Sequence, residues 1–75
     1  MTNEQFKAWR KHLKLPQREA ADLLGISRNT VALYEIGERD GHPVVIPKTV
    51  ELACAAVALG IRQYDGPDMP AKPDA

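Results

Sequence analysis

Residues 23–34 of the chain read LLGISRNTVALY, and this stretch holds the end of one helix and the start of another. Gly25 favours the left-handed conformation that ends a helix, and Ser27 is a preferred N-cap residue for the next helix. Only residues 25–27 therefore separate the two helices. A pair of helices joined by so short a turn containing Gly defines a helix-turn-helix.

Hydrophobic periodicity and capping signals on both sides of this turn predict four helices. They cover residues 3–13, 16–24, 28–36 and 47–59. Residues 2–5 fit a capping box, and Trp9 is expected to anchor the core. Asp40-Gly41 signals a turn, after which residues 42–46 read either as a brief β-arm or as a loop over the core. The predicted fold class is all-α, a compact four-helix domain with an extended loop before the last helix.

The two helices around the turn must cross steeply, so the residue at their contact has to be small, and Ala21 meets this need. Val31 and Tyr34 of the second helix are assigned to the core. The outer face of that helix is left with four residues: Arg28, Asn29, Ala32 and Leu33.

The bulk properties of the 75-residue chain indicate a single small domain. We assign residues 1–64 to this domain and predict a disordered tail over residues 65–75, which are rich in Pro, Gly and Asp. Residues 1–39 hold seven Lys and Arg against five acids, a weak pointer to a polyanionic partner. The lone Cys54, the lack of a signal-peptide core and the lack of a membrane-length apolar run predict a cytoplasmic protein.

Residues 15–39, LPQREAADLLGISRNTVALYEIGER, resemble the helix-turn-helix of the Cro/phage-repressor (XRE) family. The positions that match the family pattern are Leu15, Gln17, Ala20, Ala21, Leu24, Gly25, Ile26, Ser27, Thr30, Val31, Tyr34, Glu35 and Gly37. Pro16 departs from it, because the family usually has Ser or Thr there. Residues 46–57, IPKTVELACAAV, are in addition similar to small anti-CRISPR-associated autorepressors.

The resemblance implies a sequence-specific transcriptional regulator, a dimeric repressor that places helix 28–36 in the major groove of a palindromic DNA operator. Arg28 can bind guanine and Asn29 adenine, each through two hydrogen bonds. Ala32 and Leu33 lie beside them, and Leu33 either touches a thymine methyl group or folds back onto the core. The residues expected to contact DNA phosphates are Gln17, Arg18, Ser27, Thr30 and Arg39.

The last helix is apolar on two sides and therefore needs two partners. One stripe, Val50, Ala53, Cys54, Val57 and Ile61, is expected to face the core. The other stripe, Leu52, Ala55, Ala56 and Leu59, is predicted to form the interface of a homodimer. The alternative is that the extended loop or the tail covers this second stripe.

A catalytic function is not expected. His12, His42 and Cys54 lack the spacing of metal ligands, and the chain has no Gly-rich phosphate loop, so neither a metal nor a cofactor is predicted. The competing prediction is an antitoxin that binds its own promoter through the same fold. Its tail or last helix would then bind a toxin protein.

Overall fold

A computed structural model describes residues 1–68 and contains four helices and one short hairpin. The elements are α1 (Asn3–His12), α2 (Gln17–Leu24), α3 (Arg28–Ile36), β1 (Glu38–Arg39), β2 (His42–Pro43) and α4 (Lys48–Ala58). The predicted fold class is confirmed, and the predicted helix ends differ from the observed ones by one residue at most. Residues 69–75 of the predicted disordered tail lie outside the described residues, so that prediction is not tested.

The core lies between the four helices and is built around Phe6, which is fully buried on α1. The ring of Tyr34 from α3 meets Phe6 edge to face, with 5.4 Å between the ring centroids. Trp9 packs against the same cluster, and its Nε1 donates a 2.9 Å hydrogen bond to the carbonyl oxygen of Cys54 on α4. The prediction that Trp9 is a core anchor is thus confirmed. These contacts tie α1 to both α3 and α4.

The turn between α2 and α3 has the predicted geometry. Gly25 has a φ of +74°, a left-handed conformation that costs glycine little because it has no Cβ. The backbone N–H of Ile26 donates to the carbonyl oxygen of Ala21 over 3.0 Å, which closes the end of α2. The Ser27 hydroxyl then accepts the backbone N–H of Thr30 and caps α3. Ala21 is buried in the core, as expected for a small residue of α2 next to this turn.

The segment between α3 and α4 combines the two structures that were predicted as alternatives. Asp40 and Gly41 have φ values of +53° and +82°, and positive φ at both central residues is the mark of a type I′ hairpin turn. Arg39 pairs with His42 across this turn in an antiparallel register. Residues 44–47 then run over the domain, and Ile46 is buried in the core. Residues 42–43 are therefore a β-arm, whereas the rest of the segment covers the core.

Helix α4 contributes Val50, Cys54 and Val57 to the buried side of the domain, as predicted. Its C-terminus closes with a Schellman motif, in which the N–H of Ile61 reaches the carbonyl oxygen of Ala56 and Gly60 has a φ of +83°. None of the helices in residues 1–68 is long and apolar enough to cross a bilayer.

Candidate nucleic-acid interface

The first turn of α3 carries the two polar side chains that were predicted to contact bases. Arg28 and Asn29 are both exposed, and both follow directly on the Ser27 cap. Asn29 lies on the side of α3 opposite the buried Val31 and Tyr34, whereas Arg28 lies roughly a quarter turn from the centre of that buried side. The core therefore holds the helix from behind. The first turn of α3 is therefore accessible to a ligand while the same helix is packed against the core, as recognition of a base edge requires.

The remaining outer residues of α3 line a shallow surface depression together with the hairpin. Its lining consists of Asn29, Thr30, Ala32, Leu33 and Arg39. Arg39 belongs to β1, so the hairpin brings a cation beside the recognition face of α3. The sequence analysis predicted that Arg39 contacts a phosphate, but it did not predict that Arg39 shares a depression with the outer residues of α3.

Of the two apolar residues in this depression, Ala32 and Leu33, it is Leu33 for which the sequence left two alternatives open. It is half-buried, yet it belongs neither to the core cluster of residues 1–68 nor to the partly buried side chains packed against that cluster. Those partly buried side chains are Trp9, Leu24, Ile26 and Val44. The two predicted alternatives for Leu33, contact with a thymine methyl group and folding back onto the core, both stay predictions.

The residues predicted to contact phosphate fall into two groups. Arg18 on α2 and Arg39 on β1 are both exposed, and Arg39 lies beside the outer face of α3. The hydroxyls of Ser27 and Thr30 lie 2.8 Å apart and share a hydrogen bond, so local capping engages both of them. Gln17 is half-buried, because its Nε2 donates to Glu35 Oε1 over 3.3 Å. Since a carboxamide nitrogen carries two hydrogens, the second N–H of Gln17 can still meet another acceptor.

Pro16 is the N-cap residue of α2, and it provides no side-chain cap because its side chain has no hydrogen-bond acceptor. The first backbone N–H groups of α2, at Arg18 and Glu19, therefore have no side-chain acceptor. Uncapped N–H groups at the positive end of a helix dipole are suited to an anionic acceptor. The loss of a capping hydroxyl thus exposes backbone donors beside Gln17 and Arg18.

Below Gln17 lies an ion-paired network that sequence reasoning missed. The guanidinium of Arg10 on α1 binds both carboxylate oxygens of Glu35 on α3, with Nη2 3.0 Å from Oε1 and Nε bonded to Oε2. Arg10 Nη1 also donates to the carbonyl oxygen of Leu15 over 2.8 Å. The network joins α1, the segment before α2, and α3. Glu35 was a matched position of the family pattern, but no signal in the sequence named Arg10 as its partner.

Burial and hydrogen bonding act on Glu35 in opposite directions. Burial raises the pKa of the carboxyl, while hydrogen bonds from Arg10 and Gln17 and the positive charges of Arg10 and Lys7 lower it. The net effect is a pKa below the ordinary value of 4.5, so Glu35 is ionised at neutral pH. An ionised Glu35 accepts from both Arg10 and Gln17, which holds the start of α2 against α3.

The outer stripe of α4 is open to solvent. The exposed fractions of Leu52 and Leu59 are 59% and 75%, and Ala55 is exposed between them, while Ala56 is half-buried. The alternative in which the extended loop covers this stripe is therefore wrong. The other proposed cover, the tail, continues beyond residue 68 and is not tested.

The reactive groups outside this surface give no catalytic arrangement over residues 1–68. Cys54 is buried, and burial raises the pKa of its thiol to about 11, which keeps it protonated at neutral pH. Groups of three or more His, Cys, Asp or Glu side chains that could hold a metal ion are lacking in the same residues.

The turn, the buried contact at Ala21 and the exposed first turn of α3 together define a helix-turn-helix DNA-binding domain. The family model described as Helix-turn-helix matches residues 6–40. This match confirms the resemblance of that part of the chain to the helix-turn-helix of the Cro/phage-repressor (XRE) class. The protein is accordingly a DNA-binding transcription regulator. No curated protein sequence and no solved structure matches the chain significantly. The similarity of residues 46–57 to anti-CRISPR-associated autorepressors lies outside the matched residues and stays a prediction.

We predict that Glu35→Gln lowers the free energy of unfolding at pH 7 by about 1–3 kcal/mol, because Arg10 loses its charged hydrogen-bond acceptor in a partly buried site. The lowered pKa of Glu35 gives a stabilisation that is complete above pH 4.5 and is lost as the pH falls through the folded-state pKa. Urea unfolding from pH 7 to pH 3 should therefore show the difference between the two proteins shrinking below pH 4.5.

Glu38→Gln is the matched control, since Glu38 is an exposed carboxylate on β1. It should leave the unfolding free energy within about 0.5 kcal/mol of the unsubstituted protein. A Glu35→Gln protein as stable as this control at pH 7 would contradict a stabilising role for the network.

Proposed function

We propose that the protein is a dimeric transcriptional repressor that binds a palindromic operator with α3 in the major groove. The observation that carries this proposal is the exposure of Arg28 and Asn29 on the first turn of a helix whose other side is buried. The groove of B-DNA admits one α-helix, and the N-terminal residues of the second helix of this motif meet the base edges.

The two exposed side chains have chemistry that matches particular bases. The guanidinium of Arg28 can donate two hydrogen bonds to O6 and N7 of guanine, and the carboxamide of Asn29 can pair with N6 and N7 of adenine. Helix stability does not explain Arg28, because a cation in the first turn opposes the helix dipole. Contact with DNA accounts for both residues.

Phosphate contacts on both flanks would hold α3 in register. On one side, Arg18, the second N–H of Gln17 and the uncapped backbone of α2 form a set of donors. On the other side, Arg39 extends from the hairpin next to the depression. Only one of the two hydroxyls donates in the hydrogen bond between Ser27 and Thr30. The hydroxyl hydrogen of the other residue could donate to a phosphate. Such contacts supply affinity and orientation, whereas base contacts supply sequence preference.

A homodimer follows from the weakness of one module and from the open stripe of α4. A single small helix-turn-helix makes few phosphate contacts and discriminates poorly between sequences. Leu52, Ala55, Ala56 and Leu59 form an apolar surface on the side of α4 away from the core. Pairing two such surfaces around a two-fold axis would bury them and present two copies of α3 to two half-sites.

Repression is the mode of action that a small DNA-binding module can exert simply by occupying a promoter. The proposal needs no cofactor, metal or catalytic group, and it expects the protein in the cytoplasm, where it can reach chromosomal DNA. The antitoxin alternative differs in one respect, since the open stripe of α4 would then bind a protein other than a second copy.

Selection of bound duplexes from a random pool tests the operator. We expect an enriched motif with two-fold symmetry and half-site centres about 34–36 Å apart along the helix axis, or a multiple of that distance. A motif without symmetry would contradict binding as a two-fold dimer, and the lack of any enrichment would contradict sequence-specific binding.

Arg28→Ala should weaken binding to the selected duplex by about 1–3 kcal/mol and relax the preference at one base position of each half-site. Arg39→Ala is the comparison, because a lost phosphate contact should weaken all duplexes alike and reduce the salt dependence of binding. Gel-shift titrations on the selected duplex and its point variants measure both effects. Unchanged base preference in Arg28→Ala would exclude this residue from base recognition.

Leu52→Glu combined with Leu59→Glu should convert the dimer into a monomer, because two carboxylates would be buried unpaired in the interface. Sedimentation or light scattering gives the mass in solution. Val45→Glu is the control, since Val45 is an apolar residue with an exposed fraction of 78% that lies outside α4. A double variant that keeps the mass of two chains would contradict the interface, and an unsubstituted protein that is monomeric would favour the antitoxin alternative.

A further inference from the structure

The hairpin between α3 and α4 has two faces of different charge. Its strands pair Arg39 with His42 and Glu38 with Pro43 in an antiparallel register. Directly opposed residues project from the same face of a hairpin, and successive residues of a strand project from opposite faces. Arg39 and His42 therefore share one face, which we call the Arg39–His42 face, and Glu38 carries its carboxylate on the other. All four residues are exposed.

The Arg39–His42 face lies beside the recognition helix. Arg39 lines the depression whose other lining residues belong to the outer side of α3, and those residues are all uncharged: Asn29, Thr30, Ala32 and Leu33. His42 is the cross-strand neighbour of Arg39, at a Cβ separation of about 5 Å for such a pair. The hairpin thus places a guanidinium and an imidazole side by side at the border of this depression.

The charged groups around this face come from the hairpin and from α3, which packs against β1. In addition to Arg39, the hairpin has Asp40 at its exposed tip and Glu38 on the opposite face. The charged residues of α3 are Arg28 in its first turn and Glu35, which is engaged in the ion pair with α1. Asp40 is therefore the one acid of residues 28–43 that is left beside the Arg39–His42 face, and this face suits an anionic ligand.

Folding of the described residues does not use the charge of Arg39 or the imidazole of His42. The ion pairs within residues 1–68 lie elsewhere and join Met1 to Glu51, Arg10 to Glu35, and Lys48 to Glu51. Two like charges directly opposite on a hairpin repel each other, so pairing Arg39 with a protonated His42 would not stabilise the free protein. An anion between the two side chains would relieve this repulsion.

We propose that Arg39 and His42 bind one DNA phosphate together in each half-site, and that His42 takes up a proton when the DNA binds. This inference rests on the proposed function, because it requires α3 to lie in the major groove with the hairpin against the DNA backbone. A neutral imidazole has one N–H donor, whereas a protonated imidazole has two and carries a positive charge. The phosphate therefore favours the protonated form, through a charge-assisted hydrogen bond.

A proton taken up on binding makes the affinity for DNA depend on pH. Histidine is the side chain whose charge ordinarily changes between about pH 5 and 8. If the complex holds more protons than the free protein and DNA, a lower pH favours the complex. The regulator would then bind its operator more tightly as its surroundings become more acidic.

Titrations of the selected duplex at pH 8 and at pH 6, each over a range of salt concentrations, test this proposal. We expect binding at pH 6 to be about fivefold tighter for each half-site, the strength of one exposed ion pair. The slope of log K against log salt should become steeper at pH 6 by about 0.9 for each half-site, because one more phosphate is neutralised. His42→Gln should lose both effects.

Two further variants assign the proton to His42. His12→Gln is the matched control, because His12 is the other histidine of the chain and is exposed at the end of α1. It should keep both effects. His42→Lys carries a permanent positive charge, so it should bind at pH 8 about as tightly as the unsubstituted protein binds at pH 6. Circular dichroism and thermal unfolding at both pH values check that each variant is folded.

The outcomes separate this inference from the function on which it rests. Specific binding whose affinity and salt dependence are the same at pH 8 and pH 6 overturns the inference and leaves the proposed function intact. Failure to enrich any duplex overturns the proposed function itself. A pH effect that persists in His42→Gln, or that is lost in His12→Gln instead, overturns the assignment to His42. A folded His42→Lys protein that binds no more tightly than the unsubstituted protein at pH 8 overturns the phosphate contact.

Discussion

The structure depends on the packing of α2 and α3 in one core, where Ala21 of α2 is buried together with Val31 and Tyr34 of α3. Ala21 takes little space in this core because it adds only a methyl group, and the chain reverses between the helices because Gly25 adopts a positive φ at no steric cost. Any larger residue at this position would push α3 away from the core. Since α3 carries Arg28 and Asn29, its distance from the core decides whether those side chains stand clear of the domain. In the proposed complex, the position of α3 on DNA would therefore depend on this packing and on the turn.

The Arg10–Glu35–Gln17 network connects α2 and α3 to the rest of the domain. It links α1 to α3 by an ion pair of two almost buried side chains, and it holds the first residue of α2 against the last turns of α3. The same Gln17 lies beside the uncapped N-terminus of α2, where we place a phosphate contact. Arg10 of α1 and Gln17, which we propose to contact the DNA backbone, are thus joined through the carboxylate of Glu35. This arrangement would make the docking angle on DNA depend on the packing of the three N-terminal helices.

Among the apolar residues on the outside of the domain, those of α4 and those of α3 have different proposed partners. Leu52 and Leu59 lie on one helix face seven residues apart, which is the repeat of a continuous contact along α4 and suits a second copy of the chain. Ala32 and Leu33 instead line a depression with Asn29, Thr30 and Arg39, beside the residues that we propose to contact bases.

The sequence by itself determined the helix-turn-helix, the limits of α3, the presence of a turn at Asp40-Gly41 and the buried side of α4. These features depend on residues only a few positions apart, such as the Ser27 hydroxyl and the Thr30 N–H, so local chemistry suffices to predict them. Tertiary structure alone decided that Arg10 pairs with Glu35, that Arg39 shares a depression with α3, and that the outer stripe of α4 stays uncovered by the loop. Each of these depends on how segments distant in sequence pack together, and helical periodicity contains no information about that packing.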